Sequence, residues 1–213
     1  EAGTPAPDVH DVASFVTHVL ERIDPRRDLH FQTETTVDTL DYSGHGLNQG
    51  SKLVVAAARG KRRELPKSVP SSLELPAGFV EPRVCLPGVL AVRGPAYAPR
   101  EDGYDPTVER LCAVLGEAHP INAFPLVVIC DDSELCARSA DDFAWVTFTR
   151  SNPASDVHGI GSFVRHKHWG CTGSIVIDAR RKPGHAPPLL EDPEVSARVY
   201  ELAKRGGPLF GLF

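Results

Sequence analysis

Four histidines, His158, His166, His168 and His185, stand with Cys171 and Asp178 in the last third of the chain, and together they offer the donor types that bind transition metals. A metal centre needs three or four such donors converging, each held by a further hydrogen bond. On a strand, His166 and His168 would share one face, but the spacing fits no usual zinc pattern, so no metal is assigned to this chain. Asp131 and Asp132 follow the apolar run Leu126 to Cys130. Open α/β sheets bind ligands at the carboxyl ends of their strands, where paired carboxylates hold a cation or raise one pKa by repulsion. The same two residues, followed by Ser133, also suit a turn and a helix cap, and that reading is favoured.

Gly44 to Lys52 is glycine-rich and ends in Gly-Ser-Lys. A phosphate loop places Gly-Lys-Ser/Thr in that order, between a strand and a helix. Here Ser51 precedes Lys52 and a strand-like run follows, so nucleotide binding is rejected. Arg150 with Asp156, and Asp178 with Arg180, are spaced to pair, and exposed pairs of this kind contribute only about 0 to 1 kcal/mol. Trp145 and Trp169 read as core or interface anchors.

The elements that must position these residues follow from periodicity. Val12, Phe15, Val16, Val19, Leu20 and Ile23 recur at helical spacing until Asp24-Pro25 stops them. Val108, Leu111, Cys112 and Leu115 mark a second helix, residues from about Ser139 to Thr147 a third, and Pro193 to Arg205 a last one. Leu53 to Ala58, Leu126 to Cys130 and Ser174 to Asp178 are apolar runs without polar alternation, as in buried strands. Strands of that kind alternating with helices predict an α/β layered domain, a mostly parallel sheet flanked by helices. The expected organisation is a first α/β unit over residues 1–65, a Pro/Gly-rich connector over 66–106 with short β-like pieces, and a C-terminal α/β domain over 107–213.

Composition narrows the partners. A chain of 213 residues, 41% hydrophobic and 24% charged with net charge -5, lacks the basic footprint that nucleic acid or anionic lipid requires. No apolar stretch approaches the ~18 residues needed to span a bilayer, and no signal peptide opens the sequence, so a cytoplasmic protein is expected. Five scattered cysteines without a CxxC pair read as free thiols.

Several stretches resemble one family. Leu126 to Asp132, the acidic-aromatic run Asp141 to Arg150, Asn152-Pro153 and Asp156 resemble the C-terminal pattern of UbiD-type decarboxylases. Lys167 to Cys171, Ile177 to Pro187 and Thr39 to Lys52 are similar to segments of the long members. The resemblance implies reversible decarboxylation of aromatic or α,β-unsaturated acids by prenylated FMN, a Glu-Arg-Glu/Asp catalytic set, and a metal with potassium at the cofactor phosphate. It also implies a C-terminal domain used chiefly for oligomerisation. No segment here resembles the family's Gly-Glu-Phe carboxylate motif or its flavin-phosphate region. No catalytic or cofactor-binding residue is therefore assigned, and prenylated FMN with a divalent metal is expected elsewhere in the enzyme, upstream or on another polypeptide. The expected partner is a second copy or that flavin-binding part. A self-standing small-molecule-binding domain and a structural interaction module are the rival readings.

Two further expectations come from the residues alone. The tail residues Leu209, Phe210, Leu212 and Phe213 are too apolar to stay in water and are expected to dock on a neighbouring copy, with Gly206-Gly207 as hinge. Phe15, Arg22, Pro25, Asp28 and His30 recur as Phe143, Arg150, Pro153, Asp156 and His158, at one offset (143 − 15 and 158 − 30, both 128). That pattern predicts an internal duplication of helix, turn and strand.

Overall fold

The computed structural model describes residues 7–44, 46–185 and 192–212. Its centre is a five-stranded sheet in the order β3-β4-β5-β9-β6, built from β3 (Val80–Leu86), β4 (Val89–Arg93), β5 (Leu126–Cys130), β9 (Ile175–Asp178) and β6 (Val157–Gly159). The three inner strands β4, β5 and β9 run parallel, and β3 and β6 close the edges antiparallel. The mixed, mostly parallel α/β layering expected from the sequence is the fold.

The apolar runs are continuous because both faces of the sheet are covered. Val89 and Ala91, Val128 and Cys130, and Ile175 and Ile177 point to one core. Covering that face are Leu20 and Ile23 of α1 (Val12–Arg22) and its end, Cys136 of α3 (Ser133–Ala137), and Phe143 and Val146 of α4 (Ala140–Thr149). The alternate residues Leu90, Val92, Val127, Ile129 and Val176 face a second core under Val108, Leu111 and Cys112 of α2 (Thr107–Val114), together with Ile121 and Phe124. Helices α1 and α4 begin where the sequence supplies a cap: Asp11 accepts from Ser14 N and Ser139 from Asp142 N, both at 3.0 Å.

Two expectations are corrected. Residues 66–106 are not only a connector, because β3 and β4 fall inside them and form one side of the main sheet. The prolines and glycines that suggested a linker make turns instead. Pro87-Gly88 joins β3 to β4, with Gly88 at φ +80°, a conformation glycine adopts without strain. The run Leu53 to Ala58 is not a buried strand. It contributes to β2 (Gly50–Val55), which among the described residues pairs only with β1 (Leu29–Thr35) and leaves Val54 49% exposed.

A hairpin of β7 (Ser162–Arg165) and β8 (His168–Cys171), a 3-10 turn (Pro120–Ala123), the short helix α5 (Pro153–Asp156) and α6 (Pro193–Ala203) are the remaining elements among the described residues. No helix among the described residues is long and apolar enough to cross a membrane.

Phe143 is fully buried under the sheet. Phe143→Ala should lower the unfolding free energy in urea by about 3 to 5 kcal/mol, whereas a loss below about 1 kcal/mol would mean that the ring does not fill the core.

Candidate functional site

The carboxyl end of β9 and the segment after β4 border a cleft of about 750 Å³, lined among others by Tyr97, Tyr104, Asp105, Asp156, His158, Asp178, Lys182 and His185. Its floor is a buried charge cluster. Arg180 is fully buried and binds Asp178 bidentately, Nε to Oδ1 at 2.9 Å and Nη2 to Oδ2 at 2.7 Å. Its Nη1 lies 3.0 Å from Asp105 and donates to the Pro95 carbonyl. Asp105 in turn accepts from Ala98 N, Thr107 N and Thr107 Oγ1 at the start of α2. The Tyr97 ring covers both cations, 5.3 Å from the Arg180 guanidinium carbon and 5.6 Å from Lys182 Nζ.

Lys182 closes the other side. Its Nζ donates to the carbonyls of Arg150 and Asp178, both at 2.9 Å, and stands 3.4 Å from Asp156. Asp156 also accepts from Asn152 N at 2.7 Å, and burial is the largest influence on it, raising its carboxyl above the ordinary range against the pull of Lys182. Burial lowers the His158 imidazole below its usual 6.5, with Asp178 and Glu109 opposing and Lys182 and Arg180 assisting. His185 is lowered as well, again first by burial.

Only part of the predicted set meets here. His158 and His185 border the cleft, and the His185 ring accepts from Lys182 N at 3.2 Å. His166 and His168 lie on the distal hairpin, and they do not share a strand face. His166 and Lys167, at φ 51° and 65°, form the two-residue turn from β7 to β8, a conformation that hairpin turns of this hand require. His168 Nε2 lies 3.2 Å from the Arg26 carbonyl. Among the described residues no three His, Cys, Asp or Glu side chains converge as metal ligands.

Asp132 caps α3 through Leu135 N, and Asp131 accepts from Arg181 N at 2.8 Å. Arg150 pairs with Asp131 at 3.6 Å, not with Asp156, because Lys182 occupies the space beside Asp156. Asp178 and Arg180 do pair, but buried rather than exposed. Trp145 is 61% exposed on α4, whereas Trp169 packs edge-on to Phe31 at 5.3 Å. Tyr97, Asp105 and Lys182 are not among the residues the sequence singles out. Asp105 alone carries a signal, as an acidic residue two before the first Thr of a helix.

A profile of the 3-octaprenyl-4-hydroxybenzoate carboxy-lyase C-terminal domain, UbiD_C, matches residues 4–57. A protein of Chlamydia pneumoniae described as one of the subunits of 4-hydroxybenzoate decarboxylase is 32% identical over 186 residues, which are 86% of this chain and 29% of that protein. The chain carries a UbiD-family C-terminal part. An uncharacterized protein of Chlamydia caviae is 31% identical over 195 residues, 89% of this chain and 30% of its own length. The UbiD-family chain thus spans under a third of the curated relatives it matches. The open-form vanillic acid decarboxylase structure from Sedimentibacter hydroxybenzoicus aligns at TM-score 0.33 and 18% identity, over 55% of this chain and 27% of that one.

The profile falls on α1, β1 and β2, whereas the residues that carry the resemblance in the sequence lie chiefly from Leu126 onward.

Two measurements probe the cleft of this UbiD-family chain. Arg180→Met leaves Asp105 and Asp178 buried without their cation and should cost about 3 to 5 kcal/mol in urea unfolding, while an unchanged midpoint would remove Arg180 from its central role. His158 is the second. A histidine with a lowered folded pKa adds stability that is present above 6.5 and lost as pH falls toward the folded value. Unfolding free energies at about pH 7.5 and about pH 5 should therefore differ less in His158→Asn than in the parent; His185 leaves some of the slope in place.

Proposed function

We propose that this chain is the assembly portion of a UbiD-like (de)carboxylase acting on aromatic or α,β-unsaturated carboxylic acids, with prenylated FMN and its divalent metal held outside it. The observation that carries the reading is α6. An eleven-residue helix with no buried residue presents Val195, Val199 and Leu202 at positions i, i+4 and i+7, all exposed. Phe210 and Leu212 of the tail are exposed as well, and Leu209 is half-buried; Phe213 lies outside the described residues.

The tail does not swing out on a glycine hinge. The helix ends at its cap Lys204, Gly206 at φ +87° lies in the turn beyond it, and Leu209 N–H donates to the Leu202 carbonyl, so the chain folds back on α6. Helix and tail thus lie together and both expose apolar side chains, of the kind that mark a contact between protein chains. The Chlamydia pneumoniae relative, named as one part of a multi-chain decarboxylase, agrees with an assembly role.

The cleft does not fit a flavin phosphate and its metal. Arg180 is bound by two carboxylates, and Lys182 is committed to Asp156 and to backbone carbonyls. The rival reading, a self-standing binding domain using Asp131, Asp132 and the His158 to His185 region, has only His158 and His185 of its named candidates at this cleft.

Sedimentation equilibrium should give a mass that is a multiple of 23.1 kDa, and the combined Val195→Glu, Val199→Glu and Leu202→Glu variant should fall to the single-chain mass. An unchanged mass in that variant excludes α6 as the contact. A flavin absorbance band on the purified chain after co-expression with a flavin prenyltransferase would overturn the assignment of the cofactor elsewhere.

A further inference from the structure

Three free cysteines from separate elements meet beside the main sheet: Cys85 of the edge strand β3, Cys130 at the end of β5 and Cys136 of α3. The Cys85 and Cys136 sulfurs stand 3.9 Å apart. Buried cysteines commonly serve as small apolar filling. Here a series of contacts sets their approach. Glu81, Arg83 and Cys85 follow at every second position of β3, and α3 meets them in order. Ser133 Oγ donates to the Glu81 carbonyl at 2.7 Å, Arg83 Nη2 donates to Glu134 at 3.5 Å, and Cys85 Sγ donates to Cys136 Sγ.

The three sulfurs are not equivalent. Cys136 and Cys130 are fully buried and Cys85 is half-buried, so solvent reaches the cluster from the Cys85 side. Cys130 Sγ also lies 3.8 Å from the Val92 carbonyl oxygen, held between strands. The neighbouring thiols of Cys130 and Cys85 lower the Cys136 thiol below its usual value, against the effect of burial, and the Arg150 cation acts in the same direction. Thr147, fully buried on α4 with a hydroxyl that has no hydrogen-bond partner among the described residues, adds to that effect. Cys136 therefore carries the thiolate character that makes a cysteine reactive, and Cys85 is the sulfur beside it on the solvent side.

We propose that Cys85 and Cys136 are a peroxide-oxidisable dithiol that closes into a disulfide between β3 and α3. The Cys136 thiolate attacks one oxygen of hydrogen peroxide and the O–O bond breaks. The hydroxide released takes up the proton that the Cys136 thiol gave up, leaving a sulfenic acid and one water. The Cys85 thiol then attacks the sulfenic sulfur; the S–S bond forms, the S–O bond breaks and a second water leaves. Two thiols are oxidised by the two electrons that the peroxide accepts. The sulfurs must close from 3.9 Å to about 2.05 Å, a shift that side-chain rotation and a small movement of the five-residue α3 supply. The bridge spans 51 positions of sequence and fixes α3, which begins two residues after Asp131, the carboxylate that holds Arg181 N and Arg150. Oxidation thus stiffens the end of β5. This inference does not depend on the role given to α6.

Treating the folded, purified protein with hydrogen peroxide, then alkylating in denaturant and mapping peptides without reduction, tests it. The five free thiols should fall by two, with a Cys85–Cys136 linked peptide pair from a single chain, and dithiothreitol should restore all five. Loss of no thiol, a link between any other pair or between two chains, or a loss that dithiothreitol does not reverse overturns the proposal. So does a Cys85–Cys136 link confined to protein whose far-UV circular dichroism differs from that of the untreated sample. Cys85→Ser should form no link and should carry a sulfenic acid on Cys136 that dimedone traps; dimedone on none of the cysteines removes the first step and the proposal with it. Cys130→Ala should still form the link, and its absence there overturns the two-thiol assignment; where that variant does not fold, the peptide map of the parent protein decides alone.

Discussion

The fold turns on one buried cation. Arg180 lies at the carboxyl end of β9, and its guanidinium joins three parts of the chain: Asp178 on its own strand, Asp105 before α2, and the Pro95 carbonyl after β4. Removing a guanidinium from water costs several kcal/mol, and only a full set of fixed acceptors offsets that loss. Here the set is complete, because Asp105 is itself held by Ala98 and Thr107. The loops after β4 and β9 are consequently registered against each other and against the start of α2, whose apolar face roofs the second core.

Lys182 extends the same constraint to the opposite layer. By donating to Arg150 it closes the end of α4, and by standing beside Asp156 it keeps one charged group in the turn that begins β6. Charges that in an open crevice would meet a ligand are thus directed inward at one another. This is a crevice placed where α/β sheets bind small molecules, furnished with groups already satisfied by the protein. Its chemistry is that of a joint between layers.

The repeated turn shows how little sequence is needed to specify a local device. A carboxylate that accepts from the backbone N–H four residues before it, Asp28 from Asp24 and Asp156 from Asn152, with proline one residue into the turn, fixes the chain direction between helix and strand in both units. What surrounds that device differs. In the second unit the following strands enter a doubly covered sheet, while in the first they form a two-stranded ribbon with one face in solvent, and the same residue types change from core to surface.

Periodicity determined α1, α2 and α4, whose apolar residues recur at the period of the face they bury, and unbroken apolar runs determined β5 and β9, which are buried on both faces. The five side chains of the repeat were equally legible, since a turn is a local interaction among residues four apart. Partners were not. Nothing in the sequence links Arg180 to Asp105, which are 75 positions apart (180 − 105), or directs Arg150 to Asp131 rather than to Asp156. Those choices follow from which loops the parallel sheet brings to one end. Likewise the prolines and glycines of 66–106 read as a linker until sheet pairing claimed β3 and β4. The run Leu53 to Ala58 read as buried because hydrophobicity reports the preference of a strand, whereas its burial depends on whether a neighbouring strand stands beside it.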